Sequence, residues 1–183
     1  RRLLKPLDDD NSKYTNVGNF GLTITNFGTY GHGFVLWPRQ PSAEYPIGSG
    51  IEHLFDGGLW IGAYTQNDSL GSGRLGPFVT TGAVDAASIA SRGGGGFEFT
   101  NAPGSRVVER SSRFDSQVYS PNAVAHQDLV MLYSDTSRFF LNGELIVDHA
   151  PLGVEIYQES YAWDLSFANN FIIMNYWIKN LSN

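Results

Sequence analysis

The apolar residues of this chain come in short runs, and clusters of glycine, asparagine, aspartate or proline interrupt them before a helical period can build up. Such punctuation suits β-strands joined by turns. Residues 20–26, 34–37, 77–84, 97–100, 107–112, 129–134, 152–163 and 171–181 read as strands. Two hairpins are expected as well. In residues 139–147 an Asn142-Gly143 corner separates apolar arms and sets Phe140 opposite Leu145. In residues 51–64 the Asp56-Gly57-Gly58 corner does the same, placing His53 with Ile51, Phe55 and Trp60 on one face and Leu54, Leu59 and Ile61 on the other. Helical turns are expected only at 121–128, with Ser120 as N-cap and Pro121 first, and at 86–91, where the glycine run 93–96 stops propagation. Short connections make neighbouring strands antiparallel. The expected fold is therefore all-β: an antiparallel two-sheet β-sandwich or jelly-roll-like domain with at most one or two short helical turns.

A chain of 183 residues needs one domain. Residues 1–13 run from basic to acidic without a period and read as an extended N-terminal tail or linker, leaving 14–183 for the sandwich. A hydrophobic share of 42% supplies the core, while a net charge of −6 would repel a phosphate backbone, so nucleic acid is not an expected partner. The absence of cysteine excludes disulfides, thiolate nucleophiles and cysteine-held metals. No apolar run approaches the roughly 20 residues of a membrane helix, and membrane insertion is not expected. The stretch Phe171-Ile172-Ile173-Met174 is apolar on both faces, as in a strand at the centre of a core. Something must cover it, so the chain reads as a segment of a longer protein whose β-structure continues.

The catalytic motifs are weak. Gly71-Ser72-Gly73-Arg74-Leu75-Gly76 has the glycine spacing of a dinucleotide fingerprint, but it follows a turn-like Asn67-Asp68-Ser69 and leads into Pro77 and a strand, so the helix that would receive the pyrophosphate is missing. His32, His53, His126 and His149 are dispersed. No cofactor is indicated, and calcium is the one ion the sequence could suit. Asp8-Asp9-Asp10-Asn11-Ser12 alternates oxygen ligands but lacks the glycine and distal glutamate of a calcium loop, and reads better as a solvated linker. Asp85 and Asp135, at strand ends, could each join some other calcium site.

The most informative row lies in 152–163. Leu152, Val154 and Ile156 alternate with Glu155, Tyr157, Glu159, Tyr161 and Trp163, so acids and aromatics share one face. Sugar rings stack on aromatic planes while carboxylates accept their hydroxyls, which makes these five a candidate carbohydrate site. As a catalytic pair Glu155 and Glu159 are too far apart, about 13 Å along a strand against the ~5 to 9.5 Å of glycosidase carboxylates. The competing reading is a second packing layer, with the glutamates paired to Arg106, Arg110 or Lys179. Which way the face points decides between them.

Five longer strings, VGNFGLTITNFGTYGHG (17–33), GSGIEHLFDGGLWIGA (48–63), QDLVMLYSDT (127–136), PLGVEIYQESYAW (151–163) and NFIIMNYWIKN (170–180), resemble the N-terminal region of large, uncharacterised secreted bacterial surface proteins. Proteins of that kind carry a C-terminal sorting domain for type IX secretion. The resemblance implies export, an extracellular or cell-surface location and a multidomain parent, but no activity or catalytic residues. The resulting expectation is a non-enzymatic structural or adhesive β-sandwich module of an exported protein, self-associating or joined to the rest of its parent by strand addition. The alternative is a carbohydrate-binding module accessory to a glycan-degrading enzyme. A hydrolase using dispersed acids and histidines is a third reading, which needs two titratable groups at working distance in one pocket.

Overall fold

A computed structural model describes residues 11–31, 40–64, 76–83, 97–141, 143–146 and 149–181. The fold is all-β, with no helix among the described residues. Three antiparallel sheets form it. The first contains β1 (Ser12–Tyr14), β2 (Gly21–Thr25), β3 (Thr29–Gly31) and β5 (Asp56–Gly58) in that order, with β4 (Ser42–Glu44) paired to β2. The second has the order β11 (Ile173–Asn180), β10 (Val154–Ala162), β9 (Gln127–Asp135), β8 (Val108–Arg110), and the third is the pair β6 (Trp60–Ala63) and β7 (Phe78–Thr81).

The core lies between the first two sheets in a sandwich-like arrangement. Leu22, Ile24 and Ala43 from the first meet Leu129, Met131, Tyr133, Val154 and Ile156 from the second, with Phe99, Val107 and Leu152 completing the cluster. Alternation in β10 makes this possible: Val154, Ile156, Gln158, Ser160 and Ala162 are all buried. The polar Gln158 is tolerated because its Oε1 accepts the Tyr133 hydroxyl at 2.8 Å. Burial pushes that phenol well above its ordinary pKa.

Several expectations are corrected. Ser12 and Lys13 belong to β1 rather than to a tail, since β1 pairs with β2 through Ser12 opposite Thr25 and Lys13 opposite Ile24. The hairpin at 51–64 does not form. Gly57 and Gly58 are absent from the positive-φ positions, and they serve instead as spacers in β5. A Cβ on Gly57 would strike the Tyr30 ring, and one on Gly58 would strike the backbone of Gly82 and Ala83. The chain then leaves the first sheet at Leu59 and enters the third at Trp60. The division of faces survives that change: Leu54, Leu59 and Ile61 pack against the core, while Ile51, His53, Phe55 and Trp60 are exposed.

At 139–145 the turn is longer than a two-residue corner. The Phe140 N–H donates to Glu144 O and the Gly143 N–H to Phe140 O, with Gly143 at φ 83°. Phe139, not Phe140, therefore stands opposite Leu145, the register of a three-residue loop with a left-handed glycine. No helix follows Ser120. The Asp128 carboxylate takes the N–H groups of Val124 and Ala125 at 2.9 and 2.8 Å, and the chain turns into β9. Finally, β11 is an edge strand and not a central one; Ile173, Asn175 and Trp177 face outward, and Ile172, Met174 and Tyr176 pack inward. The expected strand at 34–37, helical turn at 86–91, glycine run 93–96, fingerprint residues 71–75, Asn67, His32, Asp8 to Asp10, Asp85 and Asn142 lie outside the described residues.

The third sheet is held to the first by backbone contact. Leu59 N donates to Gly28 O at 3.0 Å, Gly82 N donates to Leu59 O at 2.9 Å, and the Thr29 hydroxyl donates to Gly82 O. A Cβ at Gly82 would collide with the carbonyl of Gly28. Gly82→Ala should thus cost about 2 kcal/mol by forcing the two backbones apart, read as a lower urea midpoint at unchanged slope. An unshifted midpoint would show that the junction is loose.

Candidate functional site

The five residues singled out from the sequence all lie on the outer face of the second sheet, away from the core. Directly opposed residues of antiparallel strands share a face, so the register sets their neighbours. Glu155 stands between Ser134 and Lys179, Tyr157 between Leu132 and Trp177, Glu159 between Val130 and Asn175, and Tyr161 between Asp128 and Ile173. In β8, Val108 and Arg110 extend the face opposite Val130 and Asp128.

The structure divides these five into two groups. Glu159 and Tyr161 are buried within the face, at 8% exposure each. The Glu159 carboxylate accepts Arg110 Nη2 at 2.6 Å, the Tyr157 hydroxyl at 2.9 Å and the Tyr161 hydroxyl, so three of its four lone pairs are committed. Burial alone would raise its pKa, but the two phenols, the guanidinium hydrogen bond and the Arg110 charge outweigh it and hold the carboxyl below the usual range. Reciprocally, burial and Glu159 push the Tyr161 phenol up to about 12. Arg110 also reaches Asp128 Oδ2 at 3.2 Å, and that carboxylate is fully buried. Glu159 is therefore the paired structural glutamate of the competing reading and not a hydroxyl acceptor.

The remaining three are presented outward. Tyr157 and Trp163 are half-buried, and their rings belong to two separate aromatic groups. Tyr157 lies 5.4 Å from Trp177, centroid to centroid, and Trp163 lies 6.1 Å from Tyr161 and 6.5 Å from Phe171. Trp177 is 50% exposed, and Phe171, Ile173, Leu132 and Val108 are exposed as well. Glu155 is half-buried, and among the described residues no hydrogen bond or ion pair holds its carboxylate. It lines an open pocket of about 300 Å³ with Leu132, Ser134 and the loop 102–105. Trp177 was missed from sequence. The alternation of 173–180 placed it on a face with Ile173, but only the pairing of β10 with β11 brings it onto Tyr157.

Comparison with known proteins finds no matching family model, no matching curated protein and no matching solved structure. The chemistry has to be argued from this chain's own side chains. The described histidines are dispersed: His53 Nε2 lies 3.3 Å from Tyr45 O on the surface, His126 Nδ1 accepts the Asp164 N–H at 3.0 Å, and His149 is buried against Asp135. The last pair most resembles a catalytic dyad. His149 Nε2 lies 2.7 Å from Asp135 Oδ1, but both side chains are fully buried, and Asp135 Oδ2 accepts the Thr80 hydroxyl at 2.5 Å and the Leu152 N–H at 2.7 Å. Glu98, 3.9 Å from His149 Nδ1, has its pKa raised by burial. The cluster ties β7, β9 and the entrance to β10 together, and Asp135 has no oxygen turned to solvent for calcium. No group of three or more metal-ligating side chains occurs among the described residues.

Proposed function

We propose that this chain is a non-enzymatic adhesive β-sandwich module of an exported cell-surface or extracellular protein, with the outer face of the second sheet as its contact surface. One observation carries the reading: Trp177, half exposed, stands beside Tyr157 with ring centroids 5.4 Å apart, on a face braced by the ion pairs of Arg110 with Asp128 and Glu159. A rigid aromatic side chain on a braced platform gives contact area at small entropic cost. The edge of β11, unpaired among the described residues, lies beside it, an eight-residue strand whose only charged side chain is Lys179. Such an edge offers main-chain pairing to a neighbouring copy or to the rest of a parent chain, the route by which the module self-associates.

Beads coated with the domain should aggregate or attach to an insoluble polysaccharide, and beads carrying Trp177→Ala should do so several-fold less. Coated beads that neither aggregate nor attach would end the adhesive reading. The second reading is a carbohydrate-binding module accessory to a glycan-degrading enzyme, favoured by Glu155 lining a pocket two residues along the strand from Tyr157.

A further inference from the structure

We infer that the outer face carries a binding subsite for a neutral polysaccharide, with Trp177 as the stacking ring, Tyr157 tilted beside it, and Glu155 as the hydroxyl acceptor. The inference rests on the adhesive role of this face and names what it grips. Glu155 is one strand and two residues from Trp177, a diagonal of about 8 Å between Cα atoms. A hexopyranose ring lying flat on the Trp177 indole can thus put a hydroxyl, or that of the next unit, within reach of the carboxylate.

The surface continues in the same direction. From Trp177 it runs across Tyr157 and Leu132 to the pocket closed by Ala102, Pro103 and Gly104, so an extended chain would cross the strands rather than follow them. Gly104 leaves that wall low: a Cβ there would meet nothing within 4 Å.

Three properties select the ligand class. The stacking ring is aromatic and exposed, which suits the C–H face of a pyranose. The pocket's carboxylate, Glu155, accepts hydroxyl donors, and a carboxylate can take two from one ring. The charge excludes the acidic polymers: Glu155 sits in the pocket and the whole chain carries −6, so uronic or sulfated units would be repelled. Lys179 stands directly opposite Glu155 across β10 and β11, so its ammonium shares the face with the carboxylate.

Affinity gel electrophoresis tests the assignment, with hydroxyethylcellulose and dextran as neutral polymers and carboxymethylcellulose as the acidic one. The domain should be retarded by at least one neutral polymer. Trp177→Ala should weaken that retardation about tenfold and Glu155→Gln less, while Phe114→Ala, an exposed ring outside this face, should leave it unchanged. Trp177 is half solvent-exposed, and an unshifted urea midpoint confirms that its variant is folded. Retardation by carboxymethylcellulose alone, or equal retardation of the parent and Trp177→Ala, overturns the inference. If no polymer retards the domain while coated beads still aggregate, the glycan assignment falls and the adhesive role stands; if neither occurs, both fall.

Discussion

Asp135→Ala is expected to remove about 4 kcal/mol of stability, because three donors converge on a carboxylate with no access to water. Thr80, Leu152 and His149 would each lose a partner within 2.7 Å, and all three positions are buried. An orphaned buried donor costs about 1–3 kcal/mol, so the sum is a large share of the 5–15 kcal/mol that holds an ordinary domain together. The damage should spread, since the carboxylate joins the third sheet through Thr80 to the second through its own strand. Asp135→Asn keeps one acceptor oxygen and should fall between the two. Urea unfolding followed by tryptophan fluorescence gives the measurement. A loss under 1 kcal/mol for the alanine variant would mean that water replaces the carboxylate, and the cluster would then be an open site instead of a structural joint.

The strands were legible where hydrophobic alternation was long and uninterrupted. In and just before β10, Leu152, Val154 and Ile156 read as core against the acids and aromatics of the alternate positions, and the structure follows that division and continues it through the polar Gln158 and Ser160. Glycine was harder to read. Gly57 and Gly58 have the composition of a turn, yet their role is to let Tyr30 and the Gly82 backbone approach, a demand made by segments distant in sequence. The helix expected after Ser120 failed for a related reason: the Asp128 side chain captured the N–H groups of Val124 and Ala125. The apolar run 171–174 suggested burial on both sides, but composition does not distinguish a covered strand from an edge whose outer residues form a surface. The candidate site was half legible. Period two gathered Glu155, Tyr157, Glu159, Tyr161 and Trp163 onto one face, but only the registers of β8 and β11 pair Glu159 with Arg110 and Tyr157 with Trp177.

Replacing Arg110 by methionine should cost about 3 kcal/mol at neutral pH, toward the lower end for a buried pair because the guanidinium is partly solvent-exposed. Methionine preserves most of the side-chain volume, so the loss reports the charge. It strands two carboxylates, Asp128 and Glu159, in a face from which water is largely excluded. The cost should depend on pH with a definite sign. In the parent, the Glu159 carboxyl is held below its ordinary value, so its contribution is complete above the unfolded pKa of about 4.3 and disappears as pH falls through the lower folded value. Without Arg110, burial is opposed only by the two phenols. The carboxyl then takes up a proton more readily on folding, and acid relieves the stranded charge. The gap between parent and variant should therefore be widest near pH 7 and narrow below about pH 4.3. Adding Glu159→Gln to the Arg110→Met variant should recover part of the loss at pH 7, since the amide brings no charge. A gap that stays constant from pH 7 to pH 3.5 would mean that Arg110 contributes through its hydrocarbon stem, and that Tyr157, the neighbour of Trp177, is held in place by packing alone.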